Sequence, residues 1–221
     1  MTGLITATVH YLESDKAEHA GKIEISIRGA GKDGQDLLLW AQLSGMYSGA
    51  CFYPEIGDEV IVGFLNNMKD AAVILGSTVS KNNITPANNN YQKGFFSHNR
   101  LSFCFDDDKK TIQIQTPGGN SILLSDDKKT IELKDQNGNH IFLSDNGIEL
   151  KSYNNITLNA LGDIEIKAVG NITTSATQNI SVTGSNIEQT ASIGFVAKGN
   201  ATAELSASGQ TTVKGGIIMI N

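Results

Sequence analysis

The chain has 221 residues, a net charge of −6 and 6% aromatic residues, which allows one or two domains but not one large aromatic core. With two arginines, Arg28 and Arg100, the charge balance argues against nucleic acid or an anionic membrane as the main partner. No run reaches the ~20 apolar residues of a spanning helix, and Met1-Thr-Gly-Leu-Ile lacks the basic start of a secretion signal. The expectation is therefore cytoplasmic synthesis, with Cys51 and Cys104 as buried thiols.

Residues 1–80 are predicted to hold five short strands. Gly3–Leu12 comes first, then a polar loop. Lys22–Gly29 alternates, with Ile23, Ile25 and Ile27 on one face. Leu37–Gly45 carries Trp40, Glu59–Leu65 places Val60, Val62 and Phe64 together, and Ala71–Val79 closes the set. Five strands in so short a span suggest a small barrel of the oligonucleotide/oligosaccharide-binding (OB) type.

Residues 81–95 read as a polar, Asn-rich linker containing Pro86. Residues 96–146 contain a nineteen-residue repeat. Asp107-Asp-Lys-Lys-Thr-Ile112 recurs as Asp126-Asp-Lys-Lys-Thr-Ile131, and Gly119-Asn-Ser-Ile-Leu-Leu-Ser-Asp126 recurs as Gly138-Asn-His-Ile-Phe-Leu-Ser-Asp145. Each unit is predicted as two alternating strands with turns at Asp-Asp-Lys-Lys and at Pro-Gly-Gly or Gln-Asn-Gly. It is expected to form the same prism as the segment that follows.

From 147 to 221 the period becomes eight. Ile148, Ile156, Ile164, Ile172 and Ile180 lead one series, which resumes after one omission at Ile187, Phe195, Ala203, Thr211 and Met219. Two places on come Leu150, Leu158, Ile166, Thr174 and Val182. Two further on are small residues: Ala160, Ala168, Ala176, Gly184, Ala191, Gly199, Ala207 and Gly215. Alternation of period two is a strand pattern, and Gly, Asn and Asp permit a corner at the end of each unit. An octad spans roughly 26 Å, too little to enclose a core alone. Either three octads of one chain make a coil, or three chains each supply one side per layer. The unbroken small fifth position favours three chains converging on a crowded axis. The fold expected is all-β: an OB barrel followed by an intertwined triple-stranded β-helix in a homotrimer.

Phe52-Tyr-Pro-Glu-Ile-Gly-Asp-Glu-Val-Ile-Val-Gly-Phe64 followed by Ala72-Val-Ile-Leu-Gly76 resembles the OB domain of phage baseplate spikes and of the valine-glycine repeat proteins of type VI secretion. The matching positions are Pro54, Gly57, Asp58, Glu59, Val60 and Gly76. The order of barrel, Asn-rich linker, β-repeats and octads is also that family's. The resemblance implies a homotrimeric, membrane-piercing spike of a contractile injection machine, made in a bacterial cytoplasm and carried by a virion or injection particle. Its barrels would sit on a trimeric hub. No hub-like or lysozyme domain is expected within the chain, so no enzymatic activity is inherited. The end, Gly215-Gly-Ile-Ile-Met-Ile-Asn221, lacks His-x-His. It resembles ends capped by a cone protein rich in Pro-Ala-Ala-Arg (PAAR) motifs, with Ile217, Ile218, Met219, Ile220 and Asn221 as the docking tip.

Other residues suggest chemistry less well. Glu55, Asp58 and Glu59 read as a turn entering a strand rather than an acid–base pair. His10, His19, His98 and His140 lack ligand spacing, and Asp106-Asp-Asp108 reads as a hairpin turn rather than a cation loop. Tyr11, Trp40, Tyr47 and Phe52 read as core or hub contacts, because acidic residues outnumber basic ones in 1–80. No cofactor or metal is expected. Two alternatives stand beside the spike: a monomeric β-solenoid acting on polysaccharide, and an OB nucleic-acid binder.

Overall fold

The computed structural model describes residues 3–12, 21–45, 52–79, 87 and 89–220. It is all-β apart from two short 3-10 turns, and it divides into two compact units, Met1–Leu158 and Asn159–Asn221.

The first five strands are β1 (Leu4–Tyr11), β2 (Lys22–Ile27), β3 (Leu37–Leu43), β4 (Glu59–Phe64) and β5 (Ala72–Ser77). They close into a barrel of order β1-β2-β3-β5-β4, sealed by the parallel pairing of β3 with β5. Alternation selects the interior: Val9, Ile23, Ile25, Ala41, Val60, Val62 and Ile74 are fully buried, each large side chain stabilising by about 1.5–3 kcal/mol. The observed strands lie within the predicted ones, and the barrel is the expected OB type.

A second sheet follows in the same unit: β6 (Gln92–Phe96), β7 (Ser102–Asp106), β8 (Thr111–Gln115), β9 (Ser121–Ser125), β10 (Thr130–Lys134), β11 (His140–Ser144) and β12 (Gly147–Lys151). Every neighbour is antiparallel. Here the structure departs from the reading of 96–146 as a prism like the octads. Within one chain this segment is an antiparallel meander. It also absorbs 147–151, which the period had assigned to the octads. The cause is local: Ser144 pairs with Gly147, leaving Asp145-Asn146 as a two-residue hairpin turn with Gly147 at φ 117.

The nineteen-residue repeat is a repeat of atoms as well as letters. Asp106, Ser125 and Ser144 end successive strands, and each accepts a main-chain N–H from the turn it opens: Lys109 (3.0 Å), Lys128 (3.3 Å) and Asn146 (3.2 Å). Lys110 and Lys129, nineteen apart, both adopt the left-handed conformation, and so do Gly119 and Gly138.

Candidate assembly surfaces

The motif loop before β4 is built by its own hydrogen bonds. Pro54 is buried and Gly57 turns at φ 94. The Asp58 carboxylate accepts the Glu55 N–H (2.9 Å), while Gly57 N–H donates to the Val9 carbonyl and Val9 N–H to that of Asp58 (both 2.9 Å). Glu59 accepts from Thr78, through its carbonyl from the N–H (2.9 Å) and through its carboxylate from the hydroxyl (3.1 Å). Val60 is fully buried. These carboxylates thus serve the turn and the barrel seam. Gly76 sits where β5 slips register against β4, and a side chain there would meet open space.

The meander carries two apolar ladders on one face. One runs Phe105, Ile112, Leu124, Ile131, Leu143, Ile148; the other Phe95, Phe103, Ile114, Ile122, Leu133, Ile141, Leu150. Most are more than a third exposed. The opposite face is largely polar, with Thr111, Gln113, Glu132, Lys134, His140 and Lys151. Ile148 and Leu150 end the ladders and also begin the first and third series of the octads, so both patterns share a face there.

The meander's turns are stitched along its edges. Lys110 Nζ lies 2.9 Å from the Asp127 carboxylate, which raises the lysine pKa. On the other edge Asp135 accepts four donors: the main-chain N–H groups of Asn137 (2.9 Å) and Asn139 (2.8 Å) and both their side-chain amides (3.2 and 2.8 Å). Burial pushes the Asp135 carboxyl up, but the Asn139 and Asn137 amides outweigh it and hold it below the usual range. Asp106 is lowered chiefly by the Lys109 main-chain N–H.

Both folded pKa values lie below the unfolded value of about 4. Their stabilisation is therefore present above that value and is lost as pH falls through the lowered folded values. Thermal midpoints of the full chain should fall from about pH 4 downward. Asp135→Ala should lower the midpoint at neutral pH and flatten that acid slope; an unchanged slope would show that the carboxylate is not the source.

Residues 155–220 behave differently. Bends fall at 153–154, 161–162, 169–170, 177–178, 185, 192–193, 200–201, 208–209 and 216–217. The step is eight with a single seven, at the omission in the sequence. Each bend directly follows a fifth-position residue: Ala160, Ala168, Ala176, Gly184, Ala191, Gly199, Ala207 and Gly215 in turn. Described residues 155–220 form no strand pair and no main-chain hydrogen bond to one another, and all are exposed. Leu161 and Val169, at the bends, are exposed over their whole surface.

Contrary to the turn chemistry expected, no corner glycine has positive φ. A prism corner deflects the chain without reversing it, so ordinary φ values suffice. Small size at the fifth position has a reason within one chain. A Cβ on Gly184 would lie 3.3 Å from the Asn186 carbonyl oxygen, and one on Gly215 3.3 Å from that of Ile217, whereas corner glycines such as Gly162 and Gly170 meet nothing. At the tip, Ile217, Ile218, Met219 and Ile220 are all exposed; Asn221 lies outside the described residues.

The remaining candidates do not converge. Among the described residues no three His, Cys, Asp or Glu side chains could hold a metal, and no helix is long and apolar enough to cross a membrane. His10 approaches Glu24 (2.6 Å) and His140 approaches Glu149 (3.7 Å). Cys104 is half-buried rather than buried, its thiol 3.4 Å from the Phe105 carbonyl. Cys51, His19 and Tyr47 lie outside the described residues.

Sequence reasoning missed a file of aromatic rings. Phe52, from the barrel's motif loop, stacks on Phe95 of the meander (centroids 5.1 Å, planes 8° apart), Phe95 on Phe103 (6.3 Å, 16°), and Phe105 meets Phe103 edge-on (4.8 Å). The signal was available. Five of eight phenylalanines, Phe52, Phe95, Phe96, Phe103 and Phe105, gather here in a chain with few aromatics.

Residues 5–78 match the family described as the type VI secretion system/phage-baseplate injector OB domain, over about a third of the chain. No curated protein matches the sequence.

Proposed function

From a barrel that is a baseplate-injector OB domain, a structural rather than enzymatic family, we propose that the chain is the trimeric spike of a contractile injection machine. Three copies interleave their octads. The observation carrying this reading is that 155–220 bend every eight residues yet leave their main chain unpaired and every apolar side chain exposed. Backbone groups in a packed structure require partners. A single-chain solenoid would find them between its own successive coils, and here the octads do not pair with one another. Strands from two identical chains supply partners at the same period. Each layer is then bonded to other chains above and below, which makes the shaft stiff and slow to unfold.

The barrels attach to a hub protein, and Leu4, Leu38, Leu65, Met68 and Leu75 offer exposed apolar side chains for that contact. The tip of Ile217, Ile218, Met219, Ile220 and Asn221 docks a PAAR-type cone, because contiguous exposed apolar groups mark binding sites. The particle is assembled in a bacterial cytoplasm, belongs to a virion or injection apparatus, and meets the target membrane only in passing. No nucleic acid, cofactor or catalytic residue takes part.

Light scattering after gel filtration should give three chains per particle. Deleting Ile217–Asn221 should preserve that mass and abolish co-purification with the cone. A folded monomer would sink the spike and favour the solenoid; loss of the trimer on deletion would make the tip an internal plug.

A further inference from the structure

The aromatic file has no role in the spike reading so far. Phe95 and Phe103 head one apolar ladder of the meander and Phe105 heads the other, with Phe52 reaching them from the barrel. Stacked as they are, Phe52 is 64% exposed, Phe95 56% and Phe105 36%. The rings therefore do not seal one another. Along the ladders the side chains change from phenylalanine at β6–β7 to isoleucine and leucine from β8 to β12. A space lined by these ladders needs its largest fillers next to the barrel.

We propose that this file is a self-docking surface whose occupant is the same file in two further copies of the chain. Three sets of rings then meet and close the barrel end of the shaft interior. The inference rests on the trimer reading. Two observations select a second copy over another partner. The file is continuous with ladders that end in Ile148 and Leu150, the residues that also start the octads' apolar series, so whatever covers the octads on that face also reaches the rings. The two ladders together expose on the order of 800 Å² per chain, the area of a standard protein interface. Aromatic pairs across the contact add to area burial through offset or edge-on geometry. The consequence for function is a blocked interior: nothing passes from the hub through the shaft, and any payload travels outside it or beyond the tip.

The test uses the full chain with Cys51→Ser and Cys104→Ser, adding Phe95→Cys in one variant and Gln113→Cys, on the opposite face of the meander, in another. A short bis-maleimide should join chains of the Phe95→Cys particle at least tenfold faster than those of the Gln113→Cys particle. Equal rates in a particle of three chains would overturn the proposal and leave the trimer standing, whereas a one-chain particle would overturn the trimer itself. Should Phe95→Cys fail to assemble, Phe103→Cys gives the same comparison with the same two readings.

Discussion

Ala168→Lys is expected to abolish assembly, while Lys167→Ala is expected to leave it nearly unchanged. Ala168 is a fifth-position residue followed directly by the bend at 169–170. In the trimer its three copies converge, and three lysines there would be forced together without water, at a cost of several kcal/mol per charge. The would-be Cβ contacts at Gly184 and Gly215 show that the corner is tight even within one chain. Lys167 is exposed and pairs with exposed Glu165 two residues away on the same face. Such surface pairs are worth under about 1 kcal/mol. Native mass and thermal midpoint decide the matter. Equal tolerance of the two substitutions would mean that the inward and outward faces are assigned the wrong way round, and Ala168→Ser, which adds little volume and no charge, should assemble.

Gly94→Ala carries the second large effect. Gly94 opposes Cys104 in the β6–β7 pair, and an added Cβ would lie 2.9 Å from the Cys104 Cα and closer still to the Phe103 carbonyl oxygen. Both are backbone atoms, so no side-chain rotation relieves the clash and β6 must move away. Overpacking of this kind costs about 1–3 kcal/mol. The loss should be concentrated at the neck. Hydrogen exchange of the β6 and β7 amides should rise at least tenfold, with the octads and the five-stranded barrel protected as before. Uniform protection across β6 and β7 in the variant would show that the close approach is unimportant.

Alternation legible in the letters was enough to specify the barrel. Ile23, Ile25 and Ile27, then Val60 and Val62, fall at period two, and the structure buries all five. The Asp-Asp-Lys-Lys turns were legible for a related reason. A strand-ending Asp106 or Ser125 caps the turn it opens, and a lysine four residues on takes the left-handed conformation, so sequence identity becomes conformational identity. The octad period survives as bends at almost every eighth residue because it is a property of the local chain.

Three features needed the tertiary structure. The antiparallel order of β6 to β12 depends on hairpin closure at turns such as Asp145-Asn146, and period-two alternation reads the same for strands in a meander or in a prism. The stacking of Phe52 on Phe95 joins residues 43 positions apart, a distance over which no periodicity extends. The small fifth position was read as crowding at an axis, but Gly184 and Gly215 also lie against carbonyls of their own corners. Side-chain size reports the space available, and only the fold identifies which atoms occupy it.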